Sequence, residues 1–173
     1  MNRLLTVCFL CAALTCAERA AANTWPDSCG DEKVTFEVKT EKGQPAPAAP
    51  AEGKAQIILI QGENQMVAPF HNATVRFGMD GAWVGANNGN SYFALTVDPG
   101  VHHLCASWQS AWKRLSKNVD LTSFTAEPGR VYYYAAQVTV NSQNSVSFGL
   151  SQLNPDEGKY RVENSKLSTS KPR

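Results

Sequence analysis

Histidine, cysteine and charge of either sign are scarce in this 173-residue chain, and each scarcity removes a class of function. It holds 3 His and 5 Cys, with 16 Lys and Arg against 15 Asp and Glu. A net charge of +1 supplies no polybasic strip of the kind that neutralises many phosphates, so nucleic acid is not an expected partner. There is no acidic run to form a solvating tail either. No apolar run reaches the roughly 20 residues that a membrane-spanning helix needs. What the chain has instead is 43% hydrophobic residues, 12 Gly and 9 Pro, enough to fill a core and to turn the chain often.

The first 22 residues read as an export signal. Arg3 opens them, an apolar stretch runs from Leu4 to about Leu14, and Ala20-Ala21-Ala22 offers a small-residue cleavage site before Asn23. Ala13-Leu14-Thr15-Cys16 carries the wrong residues before its cysteine for lipid attachment, so lipid anchoring is not expected. An exported protein without a membrane span, periplasmic or extracellular, is the expectation. Removing residues 1–22 takes away Arg3, Arg19 and Glu18 and leaves the charges balanced. It also takes away Cys8, Cys11 and Cys16, leaving Cys29 and Cys105. In an oxidising compartment two cysteines pair in one way; free buried thiols are the alternative.

Strand signals follow one another closely. Val34, Phe36 and Val38 alternate with polar residues as a half-buried strand does. The stretch 43–53 alternates proline with small residues and reads as an extended spacer. Then Lys54 to Gln61, apolar on both faces, predicts a central strand. Thr74 to Met79 and Ala82 to Gly85 flank Asp80-Gly81, a dipeptide suited to a two-residue type I′ hairpin. Ser91 to Val97, Val101 to Trp108, Val119 to Phe124, Arg130 to Val140 and Val146 to Leu150 read as further strands. Asn154-Pro155-Asp156-Glu157 supplies a cap, a proline and two acids for a short helix over 155–164; Gly158 weakens it. Residues from Lys166 onward carry no pattern and are expected to fray.

Seven to nine short strands joined by turns, without long helices between them, predict an all-β fold, an antiparallel two-sheet sandwich. The expected division is a signal peptide over 1–22, an arm with one short strand over 23–42, a linker over 43–53, the sandwich over 54–167 and a disordered tail over 168–173. In the strand Val101 to Trp108, Leu104, Ala106 and Trp108 form the more apolar face. Cys105 therefore faces outward, and a Cys29–Cys105 bond would staple the arm across the outside of a sheet.

The ordered set Val75-Arg76-Phe77-Gly78-Met79-Asp80-Gly81-Ala82-Trp83-Val84-Gly85, Gly89-Asn90-Ser91-Tyr92-Phe93, Val97-Asp98-Pro99-Gly100-Val101-His102-His103-Leu104 and Ala126-Glu127-Pro128-Gly129-Arg130-Val131-Tyr132-Tyr133 resembles a bacterial exported family catalogued as domain of unknown function 2846. The resemblance spans about 54–167. It implies an Ig-like or prealbumin-like sandwich, secreted or periplasmic, with no established activity and no functional residues to carry over.

The residues suggest little catalytic chemistry. His102 and His103 are neighbours on a strand and point to opposite faces, so they do not share a metal; His71 would need carboxylates brought in by the fold. His-Glu-x-x-His, Gly-x-Ser-x-Gly and a phosphate loop are all missing. Neither catalytic nor metal-binding residues are assigned, and no cofactor is expected. The candidate binding residues are aromatic and amide side chains near turns: Trp83 and Trp112, with Asn87 and Asn88. Trp108 and Tyr92 are expected in the core. The leading expectation is a non-enzymatic β-sandwich that binds a partner, protein or glycan, or serves the envelope structurally. A carbohydrate-binding module using exposed aromatics is the second reading, and a hydrolase of unrecognised type the third.

Overall fold

The run Ile57-Ile58-Leu59-Ile60 decides the centre of the molecule. A computed structural model, describing residues 25–42, 47–62, 73–110, 117–140 and 146–173, places it in strand β2 (Ala55–Gln61), every residue of which is buried. A strand apolar on both faces needs cover on both. Ile57 and Leu59 pack inward with Val75, Phe77, Leu104, Trp108, Tyr134 and Val138, while Ile58 and Ile60 pack outward with Tyr92, Tyr133 and Val162.

In addition to β2 the chain forms β1 (Phe36–Glu41), β3 (Thr74–Met79), β4 (Ala82–Asn88), β5 (Ser91–Val97), β6 (Gly100–Gln109), β7 (Val119–Ala126), β8 (Val131–Val140), β9 (Val146–Leu153), helix α1 (Pro155–Glu163) and β10 (Lys166–Pro172). A six-stranded sheet in the order β1-β10-β5-β2-β8-β9 lies over a four-stranded sheet in the order β4-β3-β6-β7. The expected β3–β4 turn forms as read: Asp80 and Gly81 have φ of 52° and 88°, the two positive values a type I′ turn requires.

The expectation of antiparallel sheets is corrected in the larger sheet, which is mixed. β2 pairs with β8 in parallel from Gln56↔Val131 to Gln61↔Ala136, and β10 pairs with β5 in parallel through Lys166↔Ser91 and Leu167↔Tyr92. Turn chemistry fixes the direction of consecutive strands only. β2 and β8 are not consecutive, and they run the same way where the larger sheet brings them side by side.

The C-terminal stretch also departs from expectation. Residues 168–173 were expected to form a disordered tail, yet β10 pairs with the whole of β1, from Phe36↔Pro172 to Glu41↔Leu167. The arm's strand is thereby part of the larger sheet. The β1–β10 ribbon also closes one side of the sandwich, because Ser170 Oγ accepts the edge N–H of Ala86 in β4 at 3.0 Å. At its other end Gln109 of β6 exchanges two hydrogen bonds with the Phe36 backbone, at 2.6 and 2.9 Å. Polar side chains such as Ser168 and Ser170, which bond across to other strands, hold β10, so β10 carries no hydrophobic alternation to read.

Helix α1 covers the outer face of the larger sheet. The Asn154 side chain accepts the Asp156 and Glu157 N–H groups at 3.1 and 2.9 Å, which satisfies two of the helix's orphan donors. Gly158 is buried against Tyr133 and Val162 packs into the outer cluster. The expected spacer is described from residue 47; 47–53 has no strand or helix, and the 43–46 part lies outside the described residues, as does the expected export signal over 1–22.

Candidate functional site

Cys29 and Cys105 are bonded, with Cα atoms 5.3 Å apart. Cys105 sits on β6 between Leu104 and Ala106, which belong to the inter-sheet core; its own side chain faces outward, so the arm lies across the outside of the smaller sheet. Gly78, paired with Cys105 on β3, leaves room for this: a Cβ there would stand 3.1 Å from Cys29 Cα.

A second fastening lies beside the first. Arg76 on β3 is buried and donates to the Glu32 carbonyl at 3.0 Å, to the Val34 carbonyl, and to Ser107 Oγ at 3.0 Å. Its guanidinium lies over Trp83, 4.5 Å from the ring centre, with Trp25 at 5.7 Å on the same group. Both indoles donate to the arm's backbone: Trp25 Nε1 to the Gly30 carbonyl and Trp83 Nε1 to the Asp31 carbonyl, each at 2.8 Å. Burial pulls the Arg76 guanidinium below its ordinary pKa, opposed by the Glu32 carboxylate. A desolvated cation held over an aromatic face contributes about 2 kcal/mol.

These contacts decide what several expected binding residues do. Trp83 is half-buried against Arg76 and the arm. Asn87 is 0% exposed: on β4 it faces the interior and donates to the Leu59 carbonyl at 2.9 Å, bridging the sheets. Asn88 donates to Thr74 Oγ1 at 2.9 Å, and its N–H is accepted by Ser91 Oγ at 3.2 Å. Neither asparagine forms a surface with Trp83. Trp112, the fourth, and His71 lie outside the described residues. Trp108 and Tyr92 are buried, as expected.

The histidines separate as read from the sequence. His103 is exposed. The His102 ring faces two acceptors: the Asp80 carboxylate at 2.6 Å from Nδ1 and the Asp98 carbonyl at 2.8 Å from Nε2. Asp80 also accepts the His103 N–H at 2.8 Å, and Lys54 pairs with the Asp98 carboxylate. Phe124 packs against the imidazole with ring centres 5.5 Å apart. Burial works against the imidazolium, but the Asp80 and Asp98 acceptors outweigh it and the His102 pKa is raised. Burial likewise works against the Asp80 carboxylate, and the His103 N–H and His102 bonds outweigh it, so its pKa is lowered. This node joins the β3–β4 and β5–β6 turns to β2. Finding it from sequence would have required the register Met79↔Leu104.

Among the described residues no three His, Cys, Asp or Glu side chains converge as a metal ion would require. No protein-family model, curated protein or solved structure matches the chain. The surface itself must therefore show where a ligand could sit.

One groove does so. It measures about 370 Å3 and lies where α1 meets the end of β2 and the β4–β5 turn, lined by Ile60, Gly62, Asn90, Glu157, Tyr160, Arg161 and Asn164. Asn90 organises its wall, donating to the Asn164 carbonyl and accepting from Ser165 Oγ, both at 2.8 Å. Arg161 Nε and Nη2 hold Glu157 Oε1 at 3.0 and 2.7 Å; its Nη1 reaches over Gly62, where a Cβ would stand 3.2 Å away. Tyr160 is 67% exposed beside this wall. The helix was expected, but nothing in a nine-residue stretch with two buried positions foretold which face would border a groove.

Proposed function

We propose that the chain is an exported, non-enzymatic β-sandwich that binds a hydroxyl-rich ligand, a saccharide, in the groove beside Tyr160. The observation that carries this reading is the pairing of one exposed aromatic ring with a wall of fixed amides and an ion pair. Aromatic faces stack on the C–H surfaces of sugar rings, and amide, carboxylate and guanidinium groups match their hydroxyls. Arg161 and Glu157 neutralise each other, which suits an uncharged ligand. The aromatic residue in this role is Tyr160. Trp83 is engaged in holding the arm.

Export is supported by the signal-like residues 1–22 and by a disulfide at native bridging distance. Among the described residues no helix is long and apolar enough to cross a membrane. The resemblance to domain of unknown function 2846 offers Ig-like and prealbumin-like folds. An Ig sandwich keeps its first two strands in one sheet; counted from β2, where the resemblance begins, the first two strands here lie in different sheets, which favours the prealbumin-like form.

Glycan-array screening followed by calorimetry tests the proposal. Tyr160→Ala should weaken binding about tenfold, the order of an aromatic contact of about 1.4 kcal/mol, with the melting temperature unchanged. Trp83→Ala should do the reverse, lowering the melting temperature and sparing affinity. Full affinity in Tyr160→Ala rejects the groove as the site.

A further inference from the structure

Among the described residues the two sheets have four edges, of which β4 is covered by the β1–β10 ribbon and β1 is itself part of that ribbon. The edges β7 and β9 lie beside each other on the opposite side. β9 reads Val-Ser-Phe-Gly-Leu-Ser-Gln-Leu, eight residues without a charge or a proline. Natural sheets protect an exposed edge with such residues, because a row of unpaired N–H and C=O groups is a template for another strand.

The Asp120 carboxylate spans the gap. Asp120 Oδ2 accepts the Leu150 N–H of β9 at 2.7 Å, and its Oδ1 accepts the Leu121 N–H of its own strand at 2.9 Å. Both donors point away from their sheets. Trp108 donates to the Asn118 carbonyl, so even-numbered residues of β7 face β6 and Leu121 faces out. Leu150 bonds Asp120, so even-numbered residues of β9 face out as well. Asp120 thus occupies one outward donor on each edge and sets a negative charge at the middle of β9.

We propose that Asp120 guards the β9 edge, and that the strand it excludes is β9 of a second copy, paired antiparallel. Self-pairing fits β9 because a strand without charge meets its own image with no like-charge opposition. With Asp120 in place, pairing would strip a carboxylate of water while removing one of its donors, which is strongly unfavourable.

The test is the solution mass of the full mature chain over a range of concentrations, measured by light scattering and sedimentation. The wild type should be a monomer and Asp120→Ala a dimer. Gln152→Pro, which removes an outward N–H at an exposed position and leaves the β8 pairing intact, should return Asp120→Ala to a monomer. Asp120→Thr, with higher strand propensity, is measured alongside in case the alanine variant does not fold. A dimeric wild type, a monomeric folded variant at position 120, or a dimer that survives Gln152→Pro overturns the proposal. Loss of the fold in both variants also overturns it, since Asp120 would then be holding the sandwich together.

Discussion

Replacing Gly158 by alanine sets two effects of opposite sign against each other. Within a helix, alanine is better than glycine by about 1 kcal/mol, so local propensity predicts a more stable protein. The packing predicts a less stable one. A Cβ on residue 158 would stand 2.2 Å from Tyr133 Cγ, 2.5 Å from Cδ1 and 2.7 Å from Cβ. Those atoms are the root of the tyrosine side chain, so Tyr133 cannot swing clear unless β8 or α1 moves. Overpacking of this kind costs about 1–3 kcal/mol, and contact with the root of a buried side chain belongs in the upper part of that range. The net expectation is a loss of about 1–2 kcal/mol, a drop of roughly 5 °C for a domain of this size. Thermal and urea denaturation of wild type and Gly158→Ala measure it. Repeating the substitution in a Tyr133→Ala background, where two of the three contacts are gone, should shrink the loss. A Gly158→Ala protein more stable than wild type would refute the close approach of helix and sheet.

Replacing Cys29 and Cys105 together by serine should cost about 4 kcal/mol. The bond joins residues 76 apart in sequence, and the chain-entropy relation for a loop of that size gives this figure; an unmoved guanidinium midpoint would contradict it. The His102 node makes stability pH-dependent in a defined sense. A raised histidine pKa contributes stability fully below the unfolded value of about 6.5 and loses it as pH rises through the folded value, while the lowered Asp80 pKa contributes above about 3.9 and is lost as pH falls through its folded value. Unfolding free energy should therefore be greatest between about pH 4 and 6.5 and decline above it. In His102→Gln that decline should flatten, because Lys54 and Asp98 keep their charges there; an unchanged slope would show that His102 is not responsible.

Much of the fold was legible. Thr74–Met79 and Ser91–Val97 appear with the limits that alternation and turn residues suggested, because each strand's side chains decide its faces and each turn its ends. Cys105 could be aimed outward for the same reason. β10 was not legible: Lys-Leu-Ser-Thr-Ser-Lys-Pro has no apolar face, and it is ordered by β1 and by serine hydroxyls such as Ser168 Oγ on Ser91 Oγ at 2.8 Å. The site was less legible still. Trp83 and Asn87 were identified by residue type, yet what they touch depends on an arm and a sheet far away in sequence. Asn87 reaches Leu59, 28 residues earlier, and no local pattern records that distance.

The ribbon of β1 and β10 has a consequence for the order in which the molecule can assemble. Glu37 and Arg173 form an ion pair across 136 residues, and among the described residues β1 has no other strand than β10 beside it in its sheet. A chain entering its folding compartment amino end first can fold its hairpins as they appear, but β1 must wait until β10 has followed. Contacts this distant in sequence slow folding. Shortening the chain by one strand at its far end would therefore leave β1 unpaired at the beginning.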